Sequence, residues 1–287
     1  MMHNFAWQWD DNAIAIAYET FGEGTQVLLL PAFSTVSSRE EMAPLAKRLE
    51  KEFQAITVDW PGFGASPRLR LDYKPALYHA FLDAFVTQEL AKPLAVIAAG
   101  HAAGYVLALS RNKPNTFTRI VLVAPTWRGP LPTVMGEHRH QAYERVRKLI
   151  SLPILGEALY RLNISRPFIA LMYRRHVYAD ANRITPMLIR AKARIAHWGN
   201  ARFASAAFVT GALDSVRSRA EFLALVQTLP CPLLVVYGRD TPPRSKVEIE
   251  ALVAYGIEHR LLPGALGLHE EYAEEVFKAI LPFFQAG

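Results

Sequence analysis

The chain is poor in cysteine. Of its 287 residues one is cysteine, Cys231. A single thiol excludes an intramolecular disulfide and a cysteine-based zinc site, and it points to a reducing compartment. There is no H-E-x-x-H, no clustered His/Asp spacing and no P-loop, so neither a metal nor a cofactor is expected. Gly62-Phe63-Gly64 lacks the third glycine and the βαβ context of a dinucleotide fingerprint. No apolar run approaches the ~20 residues of a membrane span. Met1 to Glu19 mixes Asp, His and Asn with apolar residues and reads as neither a signal nor a transit peptide. The expected location is cytoplasmic, with peripheral contact at a membrane left open.

What is present is a 51% hydrophobic, 20% charged chain, enough for one large α/β domain or two smaller ones. Ala13–Tyr18 and Gln26–Leu30 read as strands joined in a hairpin through Gly22 and Gly24. Ser37 and Ser38 stand before Glu40 and Glu41 at capping-box spacing, predicting a helix to about Glu52. Strands are then expected at 55–60, 94–99, 119–124, 233–237 and 260–262. Helices are expected at 73–90, 102–110, 245–255 and 270–284. Apolar strands without polar alternation, each followed by a helix, imply a parallel sheet covered on both faces. Between Pro125 and Arg217 the alternation gives way to helical sequence interrupted by Pro153, Pro167 and Pro186.

Three landmarks in this order carry a family resemblance. Asp59-Trp60-Pro61-Gly62-Phe63-Gly64-Ala65-Ser66 follows a strand. Gly100-His101-Ala102-Ala103-Gly104 lies between a strand and a helix. Pro263-Gly264-Ala265 precedes His269-Glu270-Glu271-Tyr272. Together they resemble the D-x-P-G-x-G-x-S turn, the G-x-S-x-G nucleophile elbow and the histidine loop of the α/β-hydrolase superfamily. The resemblance spans nearly the whole chain. It implies a mostly parallel twisted sheet flanked by helices, with a core of residues 1–126 and 217–287 and a helical cap insertion of residues 127–216.

The same resemblance places the former triad at Ala102, Thr241 and Leu266, none of which can perform its part of the chemistry. The motif spacing puts Ala102 at the elbow's apex, and a methyl group cannot attack a carbonyl. Asp240 falls one residue before the acid position. Where the family has His-Gly after the third strand this chain has Pro31-Ala32, and Pro31 has no N–H for an oxyanion, although Ala32, Phe33 and Ser34 keep theirs. Four departures imply a triad lost altogether. The expected function is therefore a non-hydrolytic pseudoenzyme that binds a small apolar or carbonyl-containing ligand, or a partner. Phe33, Ser34, His101, Ala102, Tyr105, Thr126 and Trp127 would line its pocket. An alternative retains turnover without a covalent serine intermediate, using backbone donors with His269 or a threonine hydroxyl. His269 with Glu270 or Glu271 makes a base–orienter pair or, alternatively, caps the last helix. Asp59 is expected to shape its loop.

The net charge is +6, from 32 Lys+Arg against 26 Asp+Glu. Twelve bases fall between 139 and 194: Arg139, Arg145, Arg147, Lys148, Arg161, Arg166, Arg174, Arg175, Arg183, Arg190, Lys192 and Arg194. Three acids oppose them, Glu144, Glu157 and Asp180, so this stretch is +9 and the remainder −3. Apolar residues are interleaved. Such helices suit an anionic membrane face, an acidic protein or an anionic ligand, or form a solvated outer face. No nucleic-acid-binding motif accompanies the charge, so nucleic acid is not an expected partner.

Overall fold

The computed structural model describes residues 1–136 and 139–286. Eight strands form one sheet: β1 Met2–Trp9, β2 Asn12–Phe21, β3 Gln26–Leu30, β4 Gln54–Val58, β5 Leu94–Ala99, β6 Phe117–Val123, β7 Leu233–Gly238 and β8 Glu258–Leu262. Their spatial order is β1-β2-β4-β3-β5-β6-β7-β8. The β1–β2 and β2–β4 pairings are antiparallel and the remainder parallel. This is the α/β-hydrolase fold expected from the sequence.

Alternate residues of the central strands enter opposite cores, as the two-residue period of a strand requires. Leu28 and Leu30 face one layer while Val27 and Leu29 face the other. The first layer receives helices α2 (Pro75–Gln88) and α3 (Ala102–Asn112). The second receives α1 (Ala43–Leu49). All six residues of β5 are buried, which fits a strand covered on both faces.

Between β6 and β7 the chain runs through α4 (Pro130–Met135), α5 (His140–Ser151), α6 (Leu155–Asn163), α7 (Arg166–Met172), α8 (Pro186–Ala196), α9 (Ala201–Val209) and α10 (Arg219–Gln227). Pro167 and Pro186 sit in the first turns of α7 and α8, where the missing N–H costs no helical bond, and Pro153 separates α5 from α6. The chain closes with α11 (Pro243–Val253), α12 (Leu268–Glu271) and α13 (Ala273–Gln285), the last lying beside α1 in the second layer.

Two local expectations are corrected. β2 and β3 form no hairpin: β2 pairs with β1 and β4, and β3 with β4 and β5. The hairpin is β1–β2, closed by Asp10 and Asp11, with Asp10 at φ +48°. Its signal is the alternation of Phe5 and Trp7, both buried. The Ser37/Ser38 capping box also does not form. Ser38 makes no side-chain cap, residues Arg39–Met42 form a 3-10 turn, and α1 begins at Ala43 and ends at Leu49. Glu41 has turned inward instead, toward the end of β3.

Candidate functional site

The elbow follows β5. Its sharp turn is at Gly100, φ +50°, whereas His101 is already in the right-handed helical region and Ala102 is the first residue of α3, fully buried. The spacing had placed the apex at Ala102; the backbone places it two residues earlier. Glycine takes that φ without strain, whereas a residue with a Cβ is strained there. A Cβ built on Gly100 would stand 3.0 Å from the Ala32 Cβ and 3.7 Å from Thr126 Oγ1, between the loops that follow β3 and β6. Gly104 answers a different constraint: a Cβ there would meet Ser215 Oγ at 1.9 Å, so its absence lets the 211–216 loop lie on α3.

Around this turn the polar groups are engaged with one another. The Ala32 N–H donates to Glu41 Oε1 at 2.7 Å, and the Pro31 carbonyl accepts from Trp60 Nε1 at 2.8 Å. Thus the first backbone donor after Pro31 already serves a carboxylate. His101, buried, lies 2.8 Å through Nε2 from Asp214 Oδ1 and 3.3 Å through Nδ1 from Thr126 Oγ1. Asp214 also accepts the Gly129 N–H at 2.8 Å. Burial lifts the Asp214 carboxyl above its usual range, against the pull of the His101 hydrogen bond and charge. With Asp214 ionised and the imidazole neutral, Nε2 donates to the carboxylate and Nδ1 accepts from the Thr126 hydroxyl. Asp214 was missed in the sequence reading, since one acid before Ser215 has no local pattern that ties it to a residue 113 positions away.

The residues expected to line a pocket are brought together, but mostly inside the core. Phe33, Ala102, Tyr105 and Trp127 belong to the first core layer, and Ser34 and Thr126 are half-buried. The Phe33 ring stacks on Trp60 at 4.8 Å and meets Tyr78 edge-on at 5.0 Å. Phe208 of α9 covers His101 at 5.3 Å. Tyr105 donates to the Leu213 carbonyl at 2.7 Å, and burial raises its phenol well above the ordinary value. Trp127 donates to Glu248 at 3.0 Å. Ser34 Oγ accepts the Val36 N–H at 3.2 Å. Two described cavities, of about 320 and 330 Å³, lie instead on the helical segment between β6 and β7.

The other positions that the resemblance assigns to the triad carry no acid–base pair. Thr241 is buried after β7, its hydroxyl without a partner among the described residues, and Asp240 is exposed. Leu266 is half-buried against the second core layer, its N–H donating to the His176 carbonyl at 3.3 Å.

The His269-Glu270-Glu271 run pairs with neither expected partner. His269, Glu270 and Glu271 lie on one turn of helix, each rotated about 100° from the last, so their side chains diverge. His269 Nε2 lies 3.3 Å from Glu41 Oε1. Glu270 takes Lys192 of α8 at 2.8 Å, while Glu271 accepts the Ala179 and Asp180 N–H groups at 2.9 and 2.7 Å. Arg183 donates to the Glu271 carbonyl. The run therefore does not cap α13; it fastens the β6–β7 segment to the core. Lys192 is also withdrawn from the basic surface count. Burial alone would lower its ammonium pKa, but Glu270, with Tyr173 and Glu41, holds it well above the ordinary value. Asp59 serves its loop, accepting from Arg39 Nη1 at 2.5 Å and from the Arg39 and Ala65 backbone at 2.6 and 2.8 Å.

Strand order, elbow and flanking helices define an α/β-hydrolase-fold protein. Residues 27–279 match the model of the alpha/beta hydrolase family, and the chain belongs to that family. It is similar to a thermophilic esterase from Thermogutta terrifontis, with 21% identity, TM-score 0.75, and 99% of this chain and 98% of that one covered. It resembles a bromoperoxidase from Bacillus anthracis at 18% identity and TM-score 0.70, covering 98% and 99%. A third similar structure is the Cif epoxide hydrolase from Acinetobacter nosocomialis, at 18% identity, TM-score 0.72, covering 98% and 88%. These likenesses are of fold. Among curated proteins nothing matches.

Proposed function

We propose that this protein is a non-hydrolytic member of the family, a pseudoenzyme whose helical segment is a closed cap and whose role is binding. The observation that carries the reading is Gly100. The one strained residue of the elbow has no side chain, so the position from which a nucleophile would project holds no attacking atom. Thr241 and Leu266 at the acid and histidine positions support it. So does Glu41, which takes the N–H of Ala32 from any developing oxyanion. Phe33 and Phe208 pack against His101, the residue after Gly100, at 6.2 and 5.3 Å, and binding is assigned to the cap's outer surface. Purified protein is expected to leave p-nitrophenyl esters unhydrolysed and to take no label from a fluorophosphonate probe. Probe-sensitive ester turnover that copurifies with the chain would overturn the reading.

A second reading is favoured by the Asp214–His101–Thr126 chain. Here Asp214 holds the imidazole, whose Nδ1 takes the Thr126 hydroxyl proton as that oxygen attacks the ester carbonyl and passes it to the departing alkoxide; water then hydrolyses the acyl-threonine, giving turnover without a serine intermediate. This reading requires esterase activity that Thr126→Ala and His101→Gln each abolish and Leu266→Ala leaves in place. His269 has no part in it, because its Nε2 faces Glu41.

A further inference from the structure

We infer that the outer face of α5, α6 and α7 is a docking surface for an anionic phospholipid bilayer. The inference is independent of the chemistry at Gly100. Aliphatic side chains stand in solvent along consecutive helices and their connection: Leu152, Ile154, Leu155 and Leu162, with Ile154 87% and Leu162 70% exposed. The inner sides of the same helices are well anchored. Tyr143 and Tyr160 are buried, and Tyr160 donates to the Ala196 carbonyl at 3.0 Å. The exposure is thus a property of the outer face and not of helices that fail to pack. Leu155, Leu159 and Leu162 recur at helical spacing on one side of α6, and exposed apolar side chains grouped in this way mark an interaction site.

The charge beside it names the occupant. Arg166, Arg174 and Arg190 line an open groove of about 320 Å³ floored by Ala170, Ile184 and Ile189. All three arginines are exposed and have no carboxylate partner among the described residues. The acids of the segment are already engaged: Glu144 with Lys148, Glu157 with Arg161 and Arg202, Asp180 with Arg183. Excess positive charge next to protruding leucine and isoleucine matches a membrane interface. There the aliphatic groups enter the acyl boundary and guanidinium groups meet lipid phosphates. A second copy of the chain would bring like charges together. An acidic protein would satisfy the arginines, but it would need a cavity to receive Ile154 and Leu162, which a fluid bilayer supplies without one.

Co-sedimentation with phosphatidylcholine vesicles, with and without phosphatidylglycerol, at low and high salt, tests this. Binding is expected to the phosphatidylglycerol vesicles at low salt, falling steeply with salt, with little on phosphatidylcholine alone. One base near an anionic surface contributes about fivefold in partitioning, so Arg166→Gln, Arg174→Gln and Arg190→Gln together should weaken binding on the order of 100-fold. Ile154→Asp with Leu162→Asp should reduce it likewise. Both variants should keep the parent's circular dichroism and urea midpoint, since the residues are exposed. Four outcomes overturn the inference: no binding to anionic vesicles, binding indifferent to lipid charge, binding unchanged in both variants, and capture by polyglutamate but not by vesicles. So does a parent dimer that Ile154→Asp converts to monomer.

Discussion

Replacing Lys192 by methionine is the most direct probe of what holds the helical segment down. Its Nζ lies 2.8 Å from Glu270 Oε1, the two side chains being 3% and 13% exposed, and the Tyr173 ring stands 5.9 Å from the ammonium. At an effective dielectric near 20 the attraction at that distance is about 6 kcal/mol. Desolvation of the two ions offsets most of this, so the intact pair contributes little net stability. Removing one partner is different, because Glu270 is left charged and largely dry. The expected cost of Lys192→Met is about 3–5 kcal/mol, seen as a lower urea midpoint and a fall in Tm of roughly 10 °C. Hydrogen exchange should quicken first in α8. The double variant Lys192→Met, Glu270→Gln should recover most of the loss. A single variant within about 1 kcal/mol of the parent would refute the reasoning, and so would a double variant as unstable as the sum of its singles.

Three further outcomes follow, two from the elbow and one from α11. Gly100→Ser forces a side chain to φ +50° and to 3.0 Å from Ala32, so it should cost about 1–3 kcal/mol in thermal unfolding and still take no fluorophosphonate label. Ala102→Ser, in the first turn of α3 and fully buried, should likewise take no label; labelling there would restore the apex to position 102. Burial pushes the Glu248 carboxyl up, but hydrogen bonds from Arg219 and Trp127 and the charge of Arg128 outweigh it and hold the group below its ordinary range. Its stabilisation is therefore complete above the unfolded carboxylate value and fades as pH falls through the folded one. Glu248→Gln should flatten that part of the acid unfolding curve, while an unchanged slope would assign the pH dependence elsewhere.

Much of the fold was legible because its signals are local. The buried run Leu94–Ala99 reads as a covered parallel strand, and the prolines that break the helical stretch sit between helices or in their first turns. β1 escaped because its alternation of Phe5 and Trp7 is short and lies among polar residues. The false hairpin arose because glycines at 22 and 24 signal a turn without saying which strands flank it in space. At the site, motif spacing located the elbow but not its apex: Gly100 and Gly104 flank position 102, while Ala98 and Ala102 flank position 100 with equally small residues. Only the backbone dihedral separates those possibilities.

The sequence by itself determined that the strands alternate with helices, that one stretch is densely basic, and that the elbow carries no serine or cysteine. Each of these is a property of neighbouring residues. Only tertiary structure decided what the polar groups do, because their partners are remote in sequence. His101 meets Asp214, His269 meets Glu41, and Lys192 leaves the basic face to meet Glu270. The His-Glu-Glu run that resembles a catalytic loop thereby acts as a clamp on the helical segment. Burial forces that outcome, since a buried charge is tolerated only where another chain segment supplies its complement.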